Sequence, residues 1–238
     1  MPVSHPNVGA AILLLATTFL LFGCHKAPPV ITGNYFGDVV ETGERDVLSA
    51  YPDLATRQGR FLHIRLGQQP GTSSATRTFE DMPTCEGQGD CLLYRLVGVD
   101  RSSQTAVIYE QFYEGHAAQL LNLVSGSSID LEDVPHISPA GAYWIVADSD
   151  IGYGNGLIQI VTRRQTGFAI AVAEFKHSYC TFAGWRDDRT AALYCPVVTD
   201  GGVDFDDIRE TAFTRMADGS WSEQETGTTV SYDQYMAP

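Results

Sequence analysis

Short apolar runs separated by turn-forming residues dominate the chain from residue 59 onward. Each run is four to eight residues long and is bounded by Gly, Pro, Asp or Ser, which is typical of β-strands. The runs are Arg60–Leu66, Leu92–Val97, Ala106–Phe112, Gln119–Val124, Tyr143–Ala147, Leu157–Val161, Phe168–Ala173, Thr190–Cys195 and Glu210–Arg215. Because the chain shows almost no helical period between them, they predict an antiparallel, all-β domain.

One segment, Arg45–Leu54, has the spacing of a helix instead. Its apolar residues recur at helical intervals and share one side, and Pro52 limits its length. The residues on that side are Val47, Leu48, Tyr51 and Leu54. The sequence therefore predicts one short helix ahead of the strands.

The N-terminus carries an apolar run, Val8–Phe22, of a different kind. No Asp, Glu, Lys or Arg occurs anywhere in residues 1–23. The run is shorter than the roughly 20 residues that a membrane-spanning helix needs, and it has the length of a signal peptide. A cleaved signal without lipid and an ordinary buried helix are the alternatives to a lipoprotein signal.

The run ends in Leu21-Phe22-Gly23-Cys24, which resembles the lipobox of bacterial lipoproteins. The resemblance implies that Cys24 is acylated and becomes the mature N-terminus. Two features depart from the family's pattern: no Lys or Arg precedes the run, and Phe22 is bulkier than the usual residue. His25 resembles the second residue of lipoproteins sorted to the outer membrane, which implies a location in the cell envelope, on the outer membrane facing the periplasm.

The chain then divides into three parts. Residues 1–23 are the predicted signal peptide, and residues 24–32 form a tether in which Pro28 and Pro29 favour extended backbone. Residues 33–238 form a single all-β domain. The expected attachment to the membrane is the lipid on Cys24.

The four cysteines after Cys24 predict two disulfides. An even number of cysteines suits an oxidising compartment and agrees with export. Cys85 and Cys91 share one glycine-rich loop, while Cys180 and Cys195 flank two short apolar runs in a hairpin-like layout. We therefore expect the two sequence-local pairs. Zinc is not expected, because neither pair has the gap of a zinc knuckle.

The stretch Pro135–Ala147 resembles the turn and strand of WD-like and YVTN-type β-propeller blades. It has a Ser-Pro turn, a glycine able to take positive φ and then an apolar strand, with Ala140 where those blades usually carry Asp. A second partial copy starts at Trp185–Arg189. The resemblance covers about residues 115–195 and implies propeller-like blades, and a two-sheet β-sandwich is the alternative. A family of bacterial exported proteins without an assigned activity contains a similar string, here Tyr113-Glu114-Gly115, Leu123-Val124, Gly126 and Pro135–Pro139.

The net charge of the chain limits the classes of partner that are expected. It has 29 Asp and Glu against 15 Lys and Arg, a net charge of −14. Binding to nucleic acid needs clustered basic residues, so no nucleic acid partner is expected.

The sequence contains no Gly-x-Ser-x-Gly elbow, no His-Glu-x-x-His motif and no phosphate loop. We therefore predict no cofactor and assign no catalytic residue.

Oxygen-bearing side chains cluster in the loop that follows Tyr143–Ala147. Asp148, Asp150 and Asn155 are a weak candidate for a calcium site, because the usual twelve-residue spacing with a terminal Glu is absent. The alternative is a long turn whose aspartates accept hydrogen bonds from backbone N–H groups. The acidic stretch Asp200–Asp207 is a weaker candidate of the same kind.

Two functions of different classes fit these observations. The favoured one is a non-enzymatic, lipid-anchored envelope protein whose β scaffold binds a protein or glycan partner. The alternative is an exported hydrolase with a site of dispersed residues such as His116, His136, Asp148 and Asp150. The aromatic residues are expected mainly in the core, with a binding face as the alternative. They are Tyr143, Trp144, Tyr153, Trp185 and Trp221.

Overall fold

A computed structural model describes residues 38–67, 75–82, 91–113, 115–149, 156–164, 166–171 and 175–237. Within them the chain forms helix α1 (Asp38–Ala50), fifteen strands and the short helix α2 (Tyr232–Tyr235). The predicted signal peptide, the tether and Cys24 lie outside the described residues. The predicted all-β class is confirmed.

The strands form four antiparallel sheets that follow one another along the chain. The first sheet contains β1 (Ala55–Gln58), β2 (Phe61–Leu66) and β3 (Ala75–Glu80). The second contains β4 (Leu92–Asp100), β5 (Thr105–Phe112), β6 (Gly115–Asn122) and β7 (Ser128–Leu131). The third contains β8 (His136–Ile137), β9 (Tyr143–Ala147), β10 (Ile158–Arg164) and β11 (Gly167–Ala171). The fourth contains β12 (Thr181–Trp185), β13 (Thr190–Thr199), β14 (Gly202–Arg215) and β15 (Trp221–Val230).

Within each sheet the spatial order equals the chain order, so every strand pairs with the next one and no crossover occurs. Four antiparallel sheets of this kind fit a blade-like and a sandwich-like fold, the two alternatives left open by the sequence. All nine predicted strands are present as β2, β4, β5, β6, β9, β10, β11, β13 and β14. The predicted helix is also present, but α1 starts earlier than expected and ends before Pro52.

Three hydrophobic cores join the sheets in sequence order. The first core lies between α1, the first sheet and the second sheet, the next lies between the second and third sheets, and the last lies between the third and fourth. Strand β9 shows the cause: Trp144 and Val146 face the second sheet, whereas Ile145 faces the fourth. Alternation along a strand thus lets a middle sheet bury both faces.

The two ends of this stack are finished differently. On the first sheet, His63 Nδ1 and Thr78 Oγ1 form a hydrogen bond of 2.9 Å on the face away from the core. On the fourth sheet, Tyr235 of α2 packs with Ile208 and Val230, and its hydroxyl donates to the carbonyl of Tyr179 at 2.6 Å. Among the described residues, the first and fourth sheets share no hydrophobic core.

A disulfide joins the residue directly before β12 to strand β13 of the fourth sheet. Cys180 and Cys195 are bonded, with Cα atoms 4.2 Å apart, and both are buried in the core between the third and fourth sheets. The predicted pairing of these two cysteines is confirmed. Cys91 is buried and disulfide-bonded, and its predicted partner Cys85 lies outside the described residues.

Candidate ligand-binding site

A cavity of about 320 Å³ lies between the second and third sheets. Its volume is at the lower end of the range for ligand pockets. Most of its wall is apolar, and Trp185 at the end of β12 closes one side of it. The apolar side chains that line it include Val97, Val107, Val134, Ile137 and Trp144.

A β-bulge at Val97 shapes the wall on the second sheet. The pairing between β4 and β5 jumps from Leu96 with Ile108 to Gly98 with Val107, so Val97 is the extra residue. Val97 belongs to the core that faces the third sheet, and Gly98 beside it also lines the cavity. Since Gly98 has no side chain, it leaves space there: an added Cβ would lie 3.5 Å from Val107 Cγ2, an ordinary contact.

The turn between β8 and β9 forms the wall on the third sheet. Ser138 Oγ accepts hydrogen bonds of 3.2 Å from the backbone N–H groups of Ala142 and Tyr143. Gly141 has φ +68° and donates its N–H to the carbonyl of Ser138 at 2.8 Å. A Cβ on Gly141 would lie 3.0 Å from Asp100 Oδ2, so the second and third sheets approach closely here. Only glycine fits both the conformation and the space.

The fourth sheet reaches this region through two hydrogen bonds. The indole Nε1 of Trp185 donates to the carbonyl of His136 at 3.2 Å. Asp188 Oδ1 accepts the backbone N–H of Ala140, at 2.6 Å. The turns of three sheets therefore meet at one edge of the cavity, which we call its mouth. Asp100, Ser102 and Gly141 line the cavity there, and Asp188 belongs to the mouth through its hydrogen bond to Ala140.

Carboxylates determine the charge at the mouth. Burial opposes the ionisation of Asp100, but hydrogen bonds from Ser103 and Ser102 outweigh it and lower the pKa of this carboxyl. Beside the mouth, in the residue before Asp188, the backbone N–H of Arg189 donates to Asp187 at 2.7 Å and lowers the pKa of that carboxyl too. Both groups are therefore ionised at neutral pH.

Two arginines next to these aspartates are paired with other carboxylates. Arg101 Nη2 donates to Asp53 Oδ1 at 2.8 Å and to Asp53 Oδ2 at 3.0 Å. Arg186 forms an ion pair with Glu210. These two guanidinium groups are engaged by Asp53 and Glu210, whereas the guanidinium of Arg189, next to Asp188 in the chain, donates to the carbonyl of Arg215 at 2.7 Å.

The polar groups of the cavity are already hydrogen-bonded inside the protein. Thr105 Oγ1 donates to the carbonyl of Ser103 at 3.2 Å, and Ser138 Oγ accepts the two N–H groups of its own turn. Asp100 Oδ1 accepts the N–H of Ser102 at 2.9 Å and its hydroxyl at 2.7 Å. The interior thus offers apolar surface, and charge is confined to the mouth.

The histidines considered for a hydrolytic site lie outside the cavity lining. His116 Nε2 is 3.2 Å from Asp133 Oδ1, and its ring stacks on Tyr109. His136 stacks on Phe182 with ring centroids 3.9 Å apart. Burial lowers the pKa of His136 to about 4, although the negative charge of Asp133 acts to raise it. The structure therefore brings both histidines near one carboxylate, Asp133, that the sequence did not indicate.

Asp148 lies elsewhere, directly after β9. It is buried, and its Oδ2 accepts the backbone N–H of Gly156 at 3.2 Å, which is the hydrogen bond of a capped turn. Asp150 and Asn155, the other members of the predicted calcium site, lie outside the described residues. Among the described residues, no group of three His, Cys, Asp or Glu side chains could hold a metal ion.

The aromatic residues singled out in the sequence lie mainly in the cores, within the described part of the chain. Trp144 and Trp221 are buried in the cores, and Tyr143 packs against Trp221. The half-buried Trp185 lines the cavity. Tyr153 lies outside the described residues.

Sequence reasoning missed Gly98 and Asp100. The segment Asp100-Arg101-Ser102-Ser103 between two predicted strands was the signal of a turn that could have drawn attention to Asp100.

Comparison with models of known protein families gave no match, and comparison with curated proteins gave none either. Among the described residues, no helix has the length and apolar character needed to cross a membrane.

Proposed function

We propose that this protein is a lipid-anchored protein of the cell envelope that binds an apolar group of a protein partner in the cavity between its second and third sheets. The observation that carries the proposal is the cavity itself, where apolar side chains and Trp185 surround a space of about 320 Å³. Concave, mostly apolar sites with a few polar groups at their edge are typical ligand-binding sites.

The lining favours a protein partner over a glycan. A sugar ring needs hydrogen-bond donors and acceptors around an aromatic face, but Thr105 and Ser138 already use their hydroxyl oxygens within the protein. Valine, isoleucine and proline instead suit an apolar side chain, and they exclude water from it. Binding of a glycan would therefore contradict the proposal.

The anchor is proposed from the sequence motif that ends at Cys24. A diacylglyceryl thioether forms on the sulfur of this cysteine, and two or more acyl chains hold a protein stably on a membrane. We expect the Cys24→Ala variant to leave the membrane fraction or to remain unprocessed. Intact-mass analysis that finds an unmodified residue other than Cys24 at the mature terminus would contradict the anchor.

A crosslinking experiment in intact envelopes tests the binding site. A photo-crosslinking amino acid replaces Ala140, which is exposed between the lining residues Pro139 and Gly141. The matched control carries the same group at Gln224, which is exposed on β15. We expect a discrete protein adduct from position 140 alone, and we expect the cavity-filling variant Gly98→Leu to abolish it.

The Gly98→Leu variant decides the outcome, because Gly98 lines the cavity and does not adopt the left-handed conformation. If the variant folds and the adduct persists, the partner does not use the cavity and the proposal is wrong. Adducts of equal yield from positions 140 and 224 would also overturn it.

A further inference from the structure

We infer that the occupant of the cavity is a basic segment of a partner protein that inserts an apolar side chain between the second and third sheets and places Lys or Arg at the mouth. The inference rests on the proposed function and names the chemistry of the partner.

The apolar part of the inference follows from the depth of the site. Val97, Val107 and Trp144 form the interior, and Trp144 is almost completely buried. An apolar side chain that enters this space leaves water without losing hydrogen bonds, whereas a charged group there would lose its hydration.

The basic part follows from charge complementarity at the mouth. Asp100 and Asp188 come from different sheets and meet at the same edge, and the hydrogen-bond partners of both carboxylates are neutral groups. The neighbouring guanidinium groups of Arg101 and Arg186 are held by Asp53 and Glu210. Arg189, which follows Asp188 in the chain, donates to the carbonyl of Arg215 at 2.7 Å. A cation at the mouth therefore meets two carboxylates, Asp100 and Asp188, whose hydrogen-bond partners are neutral.

The net charge of the whole chain also favours a basic partner. Its net charge of −14 attracts cationic partners at a distance and repels acidic ones. A partner segment with apolar and basic residues side by side satisfies the interior and the mouth together, which neither a neutral nor an acidic segment does.

Four short blocked peptides test this chemistry on the detergent-solubilised full chain. They are Lys-Leu-Lys, Ser-Leu-Ser, Glu-Leu-Glu and Lys-Ser-Lys, and binding is measured by tryptophan fluorescence and by titration calorimetry at low and at physiological ionic strength. We expect binding of Lys-Leu-Lys alone, weaker at higher salt because the carboxylates of the mouth are exposed to solvent.

Variants of the mouth separate specific from general electrostatics. We expect Asp100→Asn and Asp188→Asn each to weaken the binding of Lys-Leu-Lys by up to about fivefold, since each removes one solvent-exposed ion pair. The matched control is Asp218→Asn. Asp218 accepts the N–H and the hydroxyl of Ser220 in the same geometry as Asp100 with Ser102, but it does not line the cavity. Asp218→Asn should leave binding unchanged.

The outcomes distinguish this inference from the proposed function. If a neutral peptide, Ser-Leu-Ser, binds as well as Lys-Leu-Lys and salt has no effect, the inference is overturned while binding in the cavity stands. If Lys-Ser-Lys binds as well as Lys-Leu-Lys, the apolar side chain plays no part and the inference is equally overturned. If no peptide binds, the basic-segment chemistry is rejected, and the crosslink from position 140 still decides the proposed function.

Discussion

The guanidinium of Arg57 donates two hydrogen bonds to the carboxylate of Glu44, from Nε to Oε2 at 2.7 Å and from Nη2 to Oε1 at 2.8 Å. Arg57 also donates to Asp81, which in turn accepts a hydrogen bond from Arg95. Glu44 further accepts the backbone N–H of Leu96 at 3.0 Å. This buried ionic network joins helix α1, the first sheet and the second sheet, and it fixes β4 behind the cavity.

Removal of Glu44 should therefore destabilise the fold. In Glu44→Ala, the Arg57 guanidinium loses its bidentate partner in a buried site, and breaking such a pair costs about 3–5 kcal/mol. Denaturant unfolding measures the change. The control is Asp46→Ala on the same helix, where the side chain is 64% exposed and the free energy of unfolding should change by less than about 0.5 kcal/mol. Equal effects of the two variants would refute a structural role for the network.

The disulfide between Cys180 and Cys195 should stabilise the fourth sheet measurably. The two residues are 15 apart in the sequence, and closing a loop of this length contributes about 3 kcal/mol in the chain-entropy model. We expect the Cys180→Ala, Cys195→Ala double variant to lose about that much free energy of unfolding. A single substitution should destabilise at least as much, because it breaks the same bond and leaves a free thiol.

The stability of the protein should fall in mild acid because of His136. Its pKa is lowered from 6.5 to about 4 in the folded state, chiefly by burial. Above pH 6.5 the ring is neutral in both states. Between 6.5 and about 4 only the unfolded chain binds the proton, so the free energy of unfolding decreases by about 3 kcal/mol over this range.

Unfolding measured from neutral pH down to about pH 4 checks this prediction. His136→Gln should flatten the pH dependence, whereas His63→Gln should preserve it, because His63 is only partly buried on the outer face of the first sheet. An identical slope in His136→Gln and the natural protein would contradict the assignment to His136.

Two glycines at the cavity should respond differently to a methyl group. Gly141→Ala combines a left-handed φ of +68° with a Cβ 3.0 Å from Asp100 Oδ2, and it should destabilise by about 1–3 kcal/mol. Gly98→Ala places its Cβ in ordinary contact with Val107 and should be neutral or slightly stabilising. Thermal unfolding of both variants tests the pair, and a greater loss in Gly98→Ala would disprove the described shape of the cavity wall.

The buried Asp148 should act as a turn cap. In Asp148→Ala the buried N–H of Gly156 loses its acceptor, which costs about 1–3 kcal/mol. If capping is the whole role of Asp148, the unfolding temperature stays the same in chelator and in millimolar calcium. A rise with calcium that Asp148→Ala removes would instead support the cation site predicted from the sequence.

The sequence by itself determined the features that depend on segments adjacent to one another along the chain. The alternation within each apolar run predicted nine strands and an all-β class. The Cys180–Cys195 pair could be predicted because both cysteines flank one hairpin. In meander sheets each strand pairs with the next one along the chain, so local patterns carry most of the information. Polar strands such as β15, with six exposed residues in succession, lacked that pattern and escaped prediction.

Only the tertiary structure decided which faces meet. Glu44, Arg57 and Asp81 look like separate surface charges in the sequence, yet packing of α1 between two sheets makes them one buried network. Likewise, Gly98 and Trp185 line one cavity although 87 positions separate them. Such contacts depend on how sheets stack and on where a single bulge turns a strand. Alternation along a strand shows which side chains share a face, but hydrophobic packing is non-directional, so the chain carries no signal for which sheet that face meets.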